Sequence, residues 1–195
     1  MSNVNTIIFD FFGVFAPDVY PDWLQSNVVN LEERKSYFFE LALSMDKGTL
    51  SKDEFLQILS KETNKRPAAI EFELNNFELD QQLIKLLEQL ASNYKIGLLC
   101  NASAKIIGPI ITNNNLAKYF HSVVISSDVG LAKPQREIYE LILKELKTSA
   151  NHAIFIDDRQ ANVDAANSIG ITGILYTDLP KLSDALNSLG IHSMI

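Results

Sequence analysis

The chain has 195 residues, 47% of them hydrophobic and 21% charged, the balance of an ordinary folded protein and not of a disordered one. Its 24 acidic residues against 17 basic ones leave a net charge of -7, which argues against nucleic acid or an anionic membrane as the main partner. Cys100 is the single cysteine, so no intrachain disulfide forms, and the opening Met-Ser-Asn-Val-Asn-Thr carries neither a signal-peptide pattern nor an apolar span; no membrane contact and a cytoplasmic location are expected.

Thr6 to Phe9 is a short apolar run that predicts a buried strand. Asp10 follows it, ahead of Phe11, Phe12 and Gly13. An unpaired carboxylate is costly inside an apolar strand, so Asp10 is expected at the strand's C-terminal end, where open α/β sheets place their ligands. From Pro21 to about Asn76 the pattern is helical and holds no convincing strand. Phe38, Leu41, Ala42 and Met45 recur at helical spacing, and Ser51 followed by Glu54 is a capping-box signature. Tyr20 and Trp23, early in this stretch, suit either contact with a substrate or simple anchoring.

Leu83, Leu86, Leu87 and Leu90 predict an amphipathic helix leading into a second strand, Lys95 to Cys100. Asn113 to Asn115 reads as a helix-ending loop, and Val123 to Ser126 as a third strand. Ile138, Leu141, Ile142 and Leu146 form another helical pattern before the strand His152 to Ile156, which runs into Asp157 and Asp158. A helix over Ala161 to Ile169 stops at Gly170, a short strand spans Thr172 to Tyr176, and a last helix from Leu182 to Leu189 stops at Gly190. Strands alternating with helices predict an α/β fold: a three-layer, Rossmann-like core with a parallel sheet, plus a small helical cap inserted after the first strand. The core is expected over residues 1–17 and 78–195 and the cap over 18–77.

Four strand ends or nearby loops carry polar groups in order: Asp10, then Cys100-Asn101-Ala102-Ser103, then Lys133-Pro134, then Asp157-Asp158. In a parallel sheet these places converge on one crevice. Each has a plainer use as well. Asp residues cap helices, Asn101 is an ordinary N-cap, and a lysine is usually solvated. Glycine-rich nucleotide loops, a Gly-x-Ser-x-Gly elbow and zinc-ligand spacings are all missing. His121, His152 and His192 read as edge or tail residues, and Arg159 is expected to pair with Asp157 or Asp158.

The segments Phe9-Asp10-Phe11-Phe12-Gly13-Val14, Gly97-Leu98-Leu99-Cys100-Asn101, Gly130-Leu131-Ala132-Lys133-Pro134 and Phe155-Ile156-Asp157-Asp158 resemble the haloacid dehalogenase-like hydrolase superfamily. The closest likeness is to its capped, sugar-phosphate phosphatase-like branch, which includes glucose-1-phosphatase-like proteins. That resemblance implies a Mg²⁺-dependent hydrolase of a small phosphorylated metabolite. Asp10 would be the nucleophile that forms an aspartyl-phosphate, and Lys133 would neutralise a phosphoryl oxygen and steady Asp10. Cys100, Asn101, Ala102 and Lys133 would contact the substrate. Asp10, the Phe12 backbone carbonyl, Asp157 and Asp158 would hold the metal, as a hard cation prefers oxygen ligands.

Two positions depart from the family pattern. Phosphatases of the superfamily usually carry a second Asp two residues after the nucleophile as general acid, and here the residue is Phe12. The second segment usually offers Ser or Thr where this chain has Cys100, a poorer hydrogen-bond donor. A phosphatase of weak activity accommodates the first departure. So does a pseudoenzyme or binding protein, and so does a 2-haloacid dehalogenase, which pairs its nucleophile with an aromatic residue and releases halide without a proton.

Overall fold

The structure, a computed structural model, describes residues 4–192. Among these, five parallel strands form one sheet: β1 (Thr6–Phe9), β2 (Lys95–Cys100), β3 (Ser122–Ile125), β4 (Ala153–Asp157) and β5 (Thr172–Leu175). Their order across the sheet is β3-β2-β1-β4-β5, with β1 in the middle and every residue of it buried. The apolar runs in the sequence reflect this, because a parallel strand covered on both faces has no polar side.

Alternate residues of each strand enter two separate cores. Ile7, Phe9, Ile96 and Leu98 face one layer, and Ile8, Leu99 and Phe155 face the other. The first layer is covered by α5 (Gln81–Ala91), α6 (Ala104–Asn113) and α10 (Leu179–Ser188). In α5 all four leucines of the helical stripe are buried, and Asp80 caps the helix by accepting from the Gln82 and Leu83 amides at 2.8 and 3.1 Å. The second layer is covered by α8 (Arg136–Glu145) and α9 (Gln160–Ser168). A short helix, α7 (Ser126–Val129), follows β3 directly.

Between β1 and α5 stand four helices: α1 (Tyr20–Asn27), α2 (Leu31–Asp46), α3 (Lys52–Thr63) and α4 (Pro67–Asn75). They close around their own apolar cluster, which includes Trp23, Leu24, Phe38, Phe55, Leu59 and Ile70. The Ser51–Glu54 capping box at the start of α3 is formed in both directions. Trp23 is an anchor: it is buried in that cluster, and its indole N–H donates to Glu73 at 2.7 Å. The C-terminal end of α2 rests on α7, where the Ser126 hydroxyl donates to the Asp46 carbonyl and Gly48 lies against the Ser127 backbone.

Topology then fixes where a ligand sits. From β1 the chain goes on to β2 on one side, whereas from β4 it goes on to β5 on the other, so the switch point lies between β1 and β4. Asp10 follows β1 and Asp157 ends β4, on the two sides of that crevice. The Asp10 amide donates to the Ile156 carbonyl at 2.9 Å, extending the ladder by one step and holding Asp10 beside Asp157. No described helix is long and apolar enough to cross a membrane.

Candidate active site

Lys133 is the centre of the site. It is 3% exposed, and its ammonium lies 2.8 Å from Asp10 Oδ1 and 2.7 Å from Asp157 Oδ2. Its backbone is clamped by Asn101: the Asn101 Nδ2 donates to the Lys133 carbonyl at 2.9 Å, and the Lys133 amide donates to Asn101 Oδ1 at 2.9 Å. Asn101 therefore spends its acceptor and one donor on positioning the loop. The Lys133-Pro134 peptide is cis.

Asp157 is fully buried and fully engaged. Besides Lys133 it accepts from Asn162 Nδ2 at 2.9 and 3.1 Å and from the Arg159 amide at 2.8 Å. Asn162 is in turn held from behind, as the Tyr139 hydroxyl donates to its carbonyl at 3.0 Å. Burial by itself raises the pKa of Asp157, but the Lys133 charge and these donors outweigh it and hold the carboxyl below the usual range. Burial likewise works against the Lys133 ammonium, and the two carboxylates overcome it, so its pKa is raised.

Asp10 is held differently. Among the described residues its hydrogen-bond donors are Lys133 and the Phe11 amide, the latter donating to Oδ1 at 2.6 Å. Burial dominates, with Lys133 opposing it, and the carboxyl is pushed up to about 7. The charge of Asp157 adds to the rise.

Asp158 completes an acidic triad: Asp10, Asp157 and Asp158 each bring a carboxylate oxygen to within 4.8 Å of the others. Asp158 Oδ1 is buried without a hydrogen-bond partner. Burial and the neighbouring Asp157 raise its pKa. Gly13, with φ of +84°, lies over it so closely that a Cβ there would stand 2.3 Å from Asp158 Cγ. Only glycine fits this conformation and this space.

A cavity of about 360 Å³ opens between the sheet edge and the four inserted helices. Of the residues predicted from sequence, Asp10, Phe12, Asn101, Ala102 and Lys133 line it, whereas Asp157 and Asp158 stand behind Asp10 and Lys133 and do not. Cys100 does not line it either. As the last residue of β2 it is fully buried, and burial pushes its thiol pKa well up, with the nearby Asp10 charge adding to the rise and Lys133 opposing it. The Ala102 amide, a candidate donor to a ligand, is occupied by the Ser126 hydroxyl at 2.9 Å. The Phe12 ring stacks edge-on against Phe11 and Phe77, with centroids 5.2 and 5.9 Å apart. Arg159 does not pair with Asp157 or Asp158 through its guanidinium. That group pairs with Asp18 at 2.8 Å, while its backbone amide donates to Asp157.

Several residues of this constellation carried no signal in the sequence. Asp18, Asp46 and Ser126 lie in helical or loop contexts where such residues are common, and only tertiary packing brings them to the site. Asp46, at the end of α2, lines the cavity, and burial pushes its carboxyl up to about 7 against the opposing charge of Arg159. Asn162 had a weak signal, being one turn into the helix after the acidic pair.

The profile of the haloacid dehalogenase-like hydrolases matches residues 22–176. A sesquiterpene phosphatase of Aspergillus oryzae is 42% identical over 59 residues, which make up 30% of this chain and 30% of that protein. A phosphoglycolate phosphatase of Yersinia pseudotuberculosis is 31% identical over 94 residues, 48% of this chain and 40% of that protein. The matched part thus spans less than half the length of either curated relative. A crystal structure of a HAD family enzyme from Bacteroides thetaiotaomicron, in complex with magnesium and inorganic phosphate, has the same fold, with a TM-score of 0.75 at 21% identity over 92% of this chain and 98% of that one.

Proposed function

The chain belongs to the haloacid dehalogenase-like hydrolase family, and we propose that it is a Mg²⁺-dependent phosphatase of small phosphomonoesters that works through an aspartyl-phosphate on Asp10. The observation that carries this is the placement of Asp10 on the cavity wall, 2.8 Å from a buried ammonium that is itself fixed by Asp157. Both curated relatives described above are named as phosphatases, which supports the reading.

The residues present fit a magnesium ion. Asp158 keeps a buried oxygen with no partner under Gly13, and one lysine stands among three carboxylates, which leaves negative charge for a cation to neutralise. Asp10, Asp158 and the Phe12 carbonyl would hold the ion directly. Asp157, with both oxygens engaged by other donors, would position Lys133 and the rest of the set. When bound, the ion supplies positive charge that offsets repulsion between the carboxylates and the phosphoryl group.

The chain's own residues account for the remaining chemistry. An Asp10 oxygen attacks phosphorus, the bond to Asp10 forms, and the ester P–O bond breaks. Lys133 bonds a phosphoryl oxygen and keeps Asp10 oriented. Phe12 has no proton to give, so the departing oxygen takes one from water. A second water then splits the aspartyl-phosphate, releasing inorganic phosphate and restoring the Asp10 carboxylate. The helices over residues 18–77 would act as a cap that excludes bulk water from the phosphoryl end and selects the organic part.

The Phe12 side chain at the cavity wall also favours a second reading, a 2-haloacid dehalogenase or a pseudoenzyme, as neither needs a proton at that place. The unpartnered Asp158 oxygen has no use in a metal-free dehalogenase. A single panel tests all three: phosphate release from p-nitrophenyl phosphate and from alkyl phosphates with and without Mg²⁺, alongside chloride release from a 2-chloroacid. Mg²⁺-dependent phosphate release that Asp10→Asn abolishes is expected. Chloride release without metal, or no turnover on any compound, would overturn the phosphatase reading.

A further inference from the structure

Resting on the phosphatase reading of the same cavity, we infer that the preferred substrates are phosphomonoesters whose leaving group is an extended hydrocarbon, an alkyl or prenyl chain, and not a sugar or other polyol. The inserted helices bring both apolar and polar side chains to the cavity, the latter including Asp46, Lys52 and Glu71. Asp10, Lys133 and Asn101 form its floor at the sheet edge, and apolar side chains of the inserted helices form a continuous part of the opposite wall.

Phe39 and Leu43 stand one turn apart on α2 and line that wall, yet remain 36% and 40% exposed. Large apolar side chains left partly open inside a cavity bury further area only when an apolar group enters. Phe55 and Leu56 of α3 and Ile106 of α6 complete the enclosure.

Most polar groups on the cap side already have partners, Asp46 being the exception among the described residues. The Tyr20 hydroxyl donates to the Phe38 carbonyl at 3.0 Å, Lys52 pairs with Glu71 at 2.6 Å, and Arg159 pairs with Asp18 at 2.8 Å. A sugar ring set against Phe39, Leu43, Phe55 and Leu56 would leave most of its hydroxyls without partners, and a site discriminates strongly only when it offers partners for such groups. An alkyl chain needs no partners, and its burial adds binding free energy methylene by methylene.

The test compares kcat/KM for n-octyl phosphate, glycerol phosphate and glucose phosphate on the full chain with Mg²⁺, with p-nitrophenyl phosphate as reference. Equilibrium binding of n-octyl phosphate and glycerol phosphate to Asp10→Asn is measured in parallel, so that affinity is read without turnover. A preference for n-octyl phosphate of about tenfold or more is expected, and Leu43→Gln or Phe39→Gln should each lower that preference about tenfold, the loss of one buried apolar side chain. If p-nitrophenyl phosphate is hydrolysed in an Asp10-dependent way but glycerol or glucose phosphate matches n-octyl phosphate in rate and binding, this inference falls and the phosphatase reading stands. If no ester is turned over but n-octyl phosphate binds at least tenfold more tightly than glycerol phosphate, the phosphatase reading falls and the assignment of an apolar ligand stands. No turnover and no binding preference would overturn both.

Discussion

Gly13 lies over Asp158 at a distance that admits no side chain: a Cβ would stand 2.3 Å from both Asp158 Cγ and Oδ2. Gly13→Ala should therefore cost at least about 1–2 kcal/mol from the positive φ alone, with the clash added. The Asp158 carboxyl must move, so the rise in melting temperature with Mg²⁺ that is expected of the parent protein should be lost in the variant. Thermal unfolding at increasing Mg²⁺ concentration reads both effects. An unchanged Mg²⁺ response in the variant would remove Asp158 from the metal site.

Lys133 is the counterion of two buried carboxylates. Lys133→Met leaves Asp10 and Asp157 unpaired, and breaking a buried pair on one side typically costs about 3–5 kcal/mol. Urea unfolding near neutral pH should show a loss of that order, together with loss of phosphatase activity. A stability loss below about 1 kcal/mol would mean that the pair is not buried as described.

Phe12→Asp places a proton donor where alkoxide leaving groups lack one. General acid catalysis contributes typically about 10²- to 10⁴-fold. The rate on alkyl phosphates should rise by up to that factor, while p-nitrophenyl phosphate, whose phenolate leaves easily, changes little. Loss of the Phe11 and Phe77 ring contacts should cost about 1 kcal/mol of stability. A parallel rise on both substrate types would point away from leaving-group protonation.

Asp46 is held at about 7 against an ordinary value of 3.8. Between those values the unfolded chain has released this proton and the folded chain retains it, so raising the pH favours unfolding. The associated stability is fully present below about 3.8 and is lost as the pH rises through about 7. Its size is on the order of 2 kcal/mol after allowance for the side chain's partial access to solvent. Urea midpoints of the metal-free protein should fall between about pH 5 and pH 8, and Asp46→Asn should flatten that slope. An identical slope in the variant would show that Asp46 ionises normally.

Much of the sheet was legible because central parallel strands have a one-dimensional signature. Thr6–Phe9 and Lys95–Cys100 are apolar from end to end since both their faces are covered, and the strand limits coincide with those runs. Asp10 was legible for the complementary reason, as a charge that such a strand cannot absorb in its middle. The full burial of Cys100 was not legible, because whether a strand-end residue is enclosed or open to the crevice depends on a pleat and twist that spacing alone does not specify. Arg159 was misassigned because its competing partner, Asp18, lies 141 residues away in sequence.

The order of elements, the ends at which polar groups gather and the identity of the nucleophile candidate are set by the sequence itself, through hydrophobic periodicity and the cost of burying charge. The tertiary structure alone decided the division of labour among the acids: Asp157 saturated by Lys133, Asn162 and the Arg159 amide, and Asp158 left with an open oxygen under Gly13. It also decided the lining of the cavity, because Phe39 and Leu43 look in sequence like any helix positions and become part of the cavity wall only when α2 is laid over the crevice. Periodicity is a property of neighbours along one element, whereas partners and cavities arise between elements far apart in the chain.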